Sequence, residues 1–408
     1  MLPSPPLSRL DKHRLPERVF ALVAGLVLSC ALSQTPLAAQ AARPAEPSPD
    51  SKSRDSKISD KAPRRFLEMR QLLGADLLQM AEGMSRKACA GLAALQGRDG
   101  SFALRPAKNP APVAVTALST MALLSFGHLP GRGKYGPVVE RATRYLLMQQ
   151  RGPGEKAEGY IGAESDKYSK MHGHGYATTC LAQLYGMLPR GAEALVDGRR
   201  LRRALESSVS VICSSQEKQT GGWSYEPVPV AHEGSITICV VQALRACKDA
   251  GIQVNSKVIS RAVRYVELSQ KPDGSIRYQL GSSNSSVALT AAAAATLQAS
   301  GQYESPVLAK ALAFLIDSSP IYSDPGGVRS AHKRFPYYER LYVGEALFSA
   351  RDLSHFHKWY PRLVKGLAQT QDPNTGLWTS REYSSAYASA MNLLVLSLPF
   401  QLLPIHQR

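Results

Sequence analysis

The 408-residue sequence predicts an all-α protein in which six pairs of helices close into a double ring. Two observations predict this fold. A pattern of glutamine, turn, glycine and aromatic residue recurs along the chain with a period of about fifty residues. Each copy is followed by an apolar, alanine- or leucine-rich segment of helical length. Repeats of this kind bury their apolar faces only by stacking on one another, so the chain is expected to form one continuous repeat domain.

The sixth copy, GLAQTQDPNTGLW from Gly366 to Trp378, is a clear example of the pattern. The six copies are anchored on Gln96, Gln150, Gln216, Gln270, Asp317 and Gln371. Consecutive anchors are 54, 66, 54, 47 and 54 residues apart. The fifth copy, from Lys310 to Gly327, has no glutamine and no aromatic residue after its glycines. The repeat is therefore most divergent there.

Each repeat contains two different helical segments. The segment before the turn, such as RAVRYVELSQ, keeps arginine and glutamate on one face, which is typical of a helix that faces solvent. The segment after the turn, such as SSVALTAAAAATLQASG, is apolar or small on nearly every side, which is typical of a buried helix. Each repeat is thus an outer helix, a turn and an inner helix, and six pairs can close without an uncapped end.

The recurring turn is predicted to hold the ring together. A glutamine that ends one helix can bond the exposed N–H groups at the start of the next helix, and the aromatic residue shields that bond from water. Asp-Gly and Gly-Gly steps reverse the chain. The residues assigned this structural role are Gln96, Gln150, Gln216, Trp223, Gln270, Gln371 and Trp378.

This pattern resembles the QW motif of the squalene and oxidosqualene cyclases, whose prenyltransferase relatives share the α/α-toroid fold (an α6/α6 barrel). RATRYLLMQQ and RAVRYVELSQ match the first half of the motif, and TGGW and TGLW match the second. The resemblance covers about residues 80 to 400 and is greatest to exported bacterial prenyltransferase and squalene-oxidase repeat proteins. It implies a toroid with a central cavity that opens at the N-terminal ends of the inner helices.

The chemistry of those relatives is not expected here. The chain has no Asp-Asp pair, so the D-x-D-D acid motif of the cyclases and a D-D-x-x-D diphosphate site are both missing. Cys180 and Cys239 lack the aspartate two residues earlier that the zinc site of the protein prenyltransferases would supply. The G-C-G-E-Q stretch of related thioester domains is also missing. We therefore expect neither cyclase nor transferase activity.

The N-terminus resembles an export signal. Basic residues precede the apolar run VFALVAGLVLSCAL, and Ala39-Gln40-Ala41 provides a cleavage site. We predict a signal peptide over residues 1–41, a flexible proline-bearing linker over residues 42–65 and the toroid over residues 66–408. The mature protein would be periplasmic or extracellular. Retention of the signal as an anchor, or lipidation of Cys30 in VLSC, are the alternatives.

The net charge indicates which partners the protein would attract, and the cysteine content indicates whether disulfides form. The net charge of +17 would favour acidic partners, including anionic lipid headgroups at a membrane surface. The sequence has no nucleic-acid-binding signature, so no nucleic-acid partner is predicted. Cleavage after Ala41 would leave five cysteines, an odd number in apolar stretches, which favours buried thiols over disulfides. The oligomeric state is left open.

The candidate ligand-binding residues lie where the chain enters the inner helices. Aligning HGYATTC with EGSITIC places His174 opposite Glu233 and Thr178 opposite Thr237, and a threonine recurs in four inner helices, where a backbone-bonded hydroxyl is expected. The ligand-binding candidates are His172, His174, Tyr176, His232, Tyr338, Tyr342, Tyr383 and Tyr387.

Three function classes remain open. The first is a non-enzymatic toroid that binds a small molecule, lipid, glycan or peptide in its cavity, with no cofactor predicted. The second is an enzyme: a divergent isoprenoid cyclase or transferase, or a glycan hydrolase with Glu233 and Glu339 as its carboxylate pair. The third is a scaffold with a filled centre. His172, His174 and His232 are also candidate zinc ligands, because imidazole is a common ligand of that metal.

Overall fold

A computed structural model of the chain describes residues 64–102, 110–188, 196–318, 335–380 and 384–407; of residues 64–67 it describes the backbone alone. These residues form thirteen α-helices and one small two-stranded sheet. The first helix, α1 (Arg64–Leu73), precedes the repeats. The predicted signal peptide and almost all of the predicted linker lie outside the described residues.

The remaining twelve helices form the six predicted pairs. The outer helices are α2 (Ala75–Ala94), α4 (Gly136–Met148), α6 (Gly198–Ser214), α8 (Ser256–Leu268), α10 (Pro306–Ser318) and α12 (Ser354–Thr370). The inner helices are α3 (Pro112–Leu124), α5 (Met171–Met187), α7 (Gly234–Asp249), α9 (Val287–Ala299), α11 (Pro336–Ser349) and α13 (Ser385–Leu396). Strands β1 (Ile276–Arg277) and β2 (Ser285–Ser286) pair antiparallel between α8 and α9.

The inner helices form a closed ring. Each one packs against the next in chain order, and α13 packs against α3. Every residue of α3 and of α9 is buried, whereas the outer helix α8 buries only one side. The outer helices surround the inner ring, and the first outer helix, α2, packs against the last inner helix, α13. The all-α toroid of six outer and inner pairs is therefore confirmed.

The repeated glutamines join one outer helix to the next. Nε2 of Gln216, for example, donates to the carbonyl of Gly221 in its own turn (2.8 Å) and to that of Val258 in α8 (2.9 Å). Gln96, Gln150, Gln270 and Gln371 make the corresponding pairs of bonds. The prediction that these side chains bond helix N–H groups is wrong. Their amides donate to carbonyls, and the partner is the next outer helix.

The glycine of each turn is required by close packing. Gly100, Gly159, Gly221, Gly274 and Gly376 all have φ between 71° and 90°. A Cβ atom at Gly376 would stand 2.6 Å from the carbonyl oxygen of Lys87 in α2. Because a side chain at this position would strain the backbone and also collide with the neighbouring helix, the turn can be made only with glycine.

The C-terminal segment covers the ring at the C-terminal ends of the inner helices. The backbone N–H of Ile405 donates to Oε1 of Gln183 on α5 (3.1 Å), and Ile405 and His406 are both buried. The chain around residues 404–406 packs against α5 and α7. Among the described helices, none combines the length and the apolarity that a membrane span requires.

Candidate functional site

A ring of bonds fixes the start of the inner helices. Two residues after each described turn glycine, a backbone N–H donates to a side chain in the first turns of the next inner helix. The acceptors are Thr116, His174, Thr237, Thr290 and Ser389. The threonine hydroxyls are thus backbone-bonded, as expected. His174 takes the place of Thr237, so the alignment that set His174 opposite Glu233 is wrong by one helical turn.

His174 has a structural environment. Its Nδ1 accepts from the N–H of Ile161 (3.0 Å), and its Nε2 lies 3.3 Å from the carbonyl oxygen of Ser208. The ring stacks on Tyr160. Burial lowers the pKa of His174 to about 4, so the imidazole is neutral. Since both nitrogens already have partners, this residue has no atom left for a ligand or a metal.

His232 faces an outer helix. Its Nδ1 lies 3.1 Å from the hydroxyl of Tyr265 on α8, and the two rings meet edge to face. The sequence placed His232 among the cavity residues because it directly precedes an inner helix. The structure places its ring against Tyr265 of outer helix α8.

His172, Ser235 and Glu233 form a hydrogen-bonded chain between α5 and α7. Nε2 of His172 lies 3.1 Å from Oγ of Ser235, which donates to Oε2 of Glu233 at 2.7 Å. His172 is buried, and burial lowers its pKa to about 3. Its Nδ1 has no hydrogen-bond partner among the described residues.

Glu233 caps helix α7. Its carboxylate accepts the N–H groups of Ser235 and Ile236, both at 2.9 Å, which satisfies donors that a helix start leaves open. Burial nevertheless raises the pKa of Glu233 to about 7. Glu339, the other candidate carboxylate, is fully buried in the first turn of α11. The two candidate carboxylates lie on α7 and α11, which are not neighbours in the ring because α9 lies between them. The carboxylate of Glu233 is also already bonded as the cap of α7.

Tyrosines from opposite walls of the inner ring lie buried in its interior, which we call the lumen. Tyr338 and Tyr342 stand one turn apart on α11, with ring centroids 4.3 Å apart. Tyr176 on α5 is close enough for its charge to raise the pKa of Tyr342, although burial is the larger cause. Since α5 and α11 are three positions apart in the six-helix ring, these side chains come from opposite walls of the inner ring.

The two remaining tyrosine candidates are Tyr387 and Tyr383. Tyr387 is buried on α13, and its ring meets Tyr337 edge to face at 6.0 Å. Tyr383 falls in the segment 381–383, outside the described residues. The structure therefore brings Tyr176, Tyr338 and Tyr342 together with His172, whose ring lies parallel to that of Tyr176.

Glu345 is a lumen residue that the sequence reasoning missed. It follows Tyr338 by seven positions and Tyr342 by three, which sets all three on one face of α11. The side chain is fully buried, and neither carboxyl oxygen has a hydrogen-bond partner within the described part of the chain. Burial raises the pKa of Glu345 well above its ordinary value, so the surroundings favour the uncharged acid. A lone glutamate inside the apolar run LYVGEALF was the signal that could have found it.

The three candidate metal ligands have different surroundings. His172 contacts Ser235, His174 contacts backbone atoms and Tyr160, and His232 contacts Tyr265. Within the described ranges, no group of three histidine, cysteine, aspartate or glutamate residues could hold a metal ion. The five described cysteines are free, and all except the half-buried Cys213 are buried.

Comparison with known proteins identifies the architecture. No protein-family model matches the chain, and no curated protein sequence matches it. Among solved structures, the type II terpene cyclase MstE from Scytonema matches with a TM-score of 0.51 at 15% identity, over 80% of this chain and 98% of that one. The chain has the α/α-toroid fold.

Other toroids match equally well. An unsaturated glucuronyl hydrolase specific for heparin has a TM-score of 0.53 at 14% identity, over 79% of this chain and 96% of that one. Cellobiose 2-epimerase from Bacillus thermoamylovorans has a TM-score of 0.50 at 9% identity, over 70% and 87%. Since these toroids carry out unrelated reactions, the likeness establishes the fold and leaves the function to the site.

Proposed function

We propose that this toroid binds a small polar molecule in its lumen, against Tyr338, Tyr342, Glu345 and His172. The observation that carries the proposal is the set of polar atoms without described partners: both tyrosine hydroxyls, the Glu345 carboxyl group and Nδ1 of His172. A buried polar group without a hydrogen bond costs about 1–3 kcal/mol. A bound molecule with its own donors and acceptors would remove this cost.

The same atoms favour one ligand class over another. A hydrocarbon chain would leave all four groups unpaired, so an isoprenoid-like lipid fits this lumen poorly. A compact molecule with hydroxyl, amide or similar groups, such as a sugar ring or a short peptide, would pair them and stack on the tyrosine rings. The ligand would be uncharged, because burial favours the neutral forms of both Glu345 and His172.

We test the proposal with native mass spectrometry of protein purified from its own host. A polar adduct is expected on the wild-type chain and is expected to be lost from the double variant Tyr338→Phe/Tyr342→Phe. The matched control is Tyr360→Phe, because Tyr360 is also fully buried but its hydroxyl already donates to the carbonyl of Leu396 at 2.7 Å. That control should keep the adduct.

Two results would refute lumen binding. One is the repeated absence of any adduct from the wild-type protein. The other is an adduct that survives in the double tyrosine variant. Unfolding measurements provide a second readout: the hydroxyls of Tyr338 and Tyr342 have no described partners, so the double variant should be at least as stable as the ligand-free wild type, whereas Tyr360→Phe should be less stable.

Acid–base catalysis is the second candidate function, and the pKa of about 7 for Glu233 favours it. Groups with such values are frequent at active sites. The chain has no D-x-D-D motif, which supports a glycan-directed reaction over an isoprenoid cyclisation. A panel of chromogenic glycosides, assayed with wild type and Glu233→Gln, tests this candidate. Turnover that Glu233→Gln abolishes would favour the enzyme, and turnover unchanged in that variant would exclude Glu233 as its acid or base.

Export is proposed from the N-terminal sequence alone. Basic residues, an apolar run and Ala39-Gln40-Ala41 support a cleaved signal. N-terminal sequencing of the protein from its own host should find Ala42 as the first residue. An intact N-terminus would favour the anchored form, and a lipid on Cys30 would favour the lipoprotein.

A further inference from the structure

A second groove lies outside the lumen, between outer helix α2, the connection from α3 to α4, and the segment after α13. Its volume is about 720 Å³. Ligand pockets for small molecules commonly have volumes of about 300–1,000 Å³. The residues that line it are Glu82, Arg86, Lys87, Cys89, Ala90, Phe126, His128, Lys134, Tyr135, Phe400 and Leu402. We call it the basic groove.

The walls of the basic groove are mainly apolar. The rings of Phe126 and Phe400 meet with centroids 6.0 Å apart. Leu402 is 43% exposed, which is unusual for a large aliphatic side chain in this protein. Cys89, which is buried, also lines the groove. Such a surface would gain free energy by covering an alkyl chain.

The rim of the groove is positively charged. Arg86, Lys87 and Lys134 are exposed around it, and Nζ of Lys134 stands 5.5 Å above the ring of Tyr135. Glu82 is the one acidic residue among those that line the groove, and it lies 3.7 Å from Arg86 on the next turn of α2. Three cations against one carboxylate leave a net positive rim above an apolar floor.

We propose that the basic groove binds a medium-chain fatty acid such as dodecanoate. The alkyl chain would lie against Phe126, Phe400 and Leu402. The carboxylate would pair with Lys134 and Arg86 at the rim. This inference is independent of lumen binding, because the groove lies beside the C-terminal ends of inner helices α3 and α13, away from the lumen entrance.

Calorimetry of the full chain with dodecanoate, below the concentration at which it forms micelles, tests this proposal. We expect saturable binding near one molecule per chain. Decanoate, which is two methylenes shorter, should bind about tenfold more weakly, since each buried methylene changes the affinity about fourfold at most. Dodecanol and dodecyltrimethylammonium, which lack the negative head, should bind at least tenfold more weakly than dodecanoate.

The variants assign the site. Lys134→Gln should weaken dodecanoate several-fold and leave dodecanol unchanged, while Leu402→Gln should weaken both. The matched control is Lys257→Gln, an exposed lysine on α8 outside the groove. An equal loss in Lys257→Gln would mean that the overall charge attracts the probe, and it would overturn the proposal. Equal affinity for the three head groups, or no saturable binding, would also overturn it.

Discussion

The buried polar side chains of the turns and those of the lumen differ in their hydrogen bonding. In the turns, Nε2 of Gln216 donates to two carbonyls and the Trp223 indole donates to the carbonyl of Ile212, although Oε1 of Gln216 has no described partner. In the lumen, Glu345 and Tyr342 are equally buried but have no described partners. Bonded groups hold the ring in one register, whereas unbonded ones lower its stability. The difference indicates that the turns serve the fold and that the lumen is where a ligand would act.

Replacing Trp378 with alanine should have the largest effect on stability. The indole is 3% exposed, and its Nε1 donates to the carbonyl of Leu367 at 3.0 Å. Removing it should lower the free energy of unfolding by about 3–5 kcal/mol, through lost burial and a cavity in the closing turn. Urea unfolding followed by circular dichroism measures this change.

A pair of phenylalanine variants separates the bond from the bulk of the ring. Trp378→Phe removes the bond to Leu367, whereas Trp359→Phe removes none, since Nε1 of the fully buried Trp359 has no described partner. Trp378→Phe should therefore be the less stable of the two. Equal stability would count against a bonding role for the turn tryptophan.

Glu345→Gln should stabilise the protein increasingly as the pH rises. The folded-state pKa of Glu345 is raised above its unfolded value of about 4.5. The free energy of unfolding of the wild type is therefore at its full value below pH 4.5. It falls as the pH rises towards the folded pKa, because the unfolded chain ionises this carboxyl group more readily than the folded chain does. Glutamine has no such loss, so the stability difference in favour of the variant should widen as the pH rises from 5 to 7.

The control for that pH series is Glu304→Gln. The Glu304 side chain is 79% exposed and pairs with Arg351 at the surface, so its replacement should have a small effect with little dependence on pH. If Glu345→Gln differed from wild type by the same amount at every pH, or destabilised the protein at pH 7, the carboxyl group would have to be charged and paired in the folded state.

Gln216→Ala should have a smaller effect than Trp378→Ala. The substitution removes two hydrogen bonds and leaves the carbonyls of Gly221 and Val258 without that donor, which should cost about 2 kcal/mol. Gln219, three residues later, is exposed, and Gln219→Ala should change stability by less than about 0.5 kcal/mol. Thermal unfolding of the two variants makes the comparison. Equal melting temperatures would show that the glutamine bonds add nothing to the ring.

The repeat pattern was sufficient to predict the ring but not its bonding. Outer helices have polar residues along one face, whereas inner helices are apolar or small on nearly every side, and this difference is visible in the sequence. The direction of the glutamine bonds could not be read, because an amide both donates and accepts. The register of His174 was misjudged for a related reason. An imidazole nitrogen and a threonine hydroxyl can accept the same N–H, although the residues look unrelated in sequence.

The lumen was the least predictable part. Tyr176, Tyr338 and Tyr342 were expected there because they lie near the starts of inner helices. His232 was expected there on the same ground, yet its ring points to α8, since a residue just before a helix can face either side. Glu345 was missed because a residue in the middle of an inner helix is expected to pack in the core rather than to contribute to a site. Only the arrangement of α5 across from α11 shows that it shares a space with the tyrosines.

The sixth turn joins parts of the chain that are far apart in sequence. Gln371 bonds the carbonyl of Met84, 287 residues away, in the way that Gln216 bonds the carbonyl of the nearby Val258. The same bond thus forms whether the two outer helices are consecutive in the chain or are the last and the first of the repeats. A circularly permuted gene, opened at the connection between α7 and α8 and joined between the old ends, should still encode this ring. During synthesis of the natural chain, by contrast, α2 can pack against α12 and α13 only after nearly the whole polypeptide has been made.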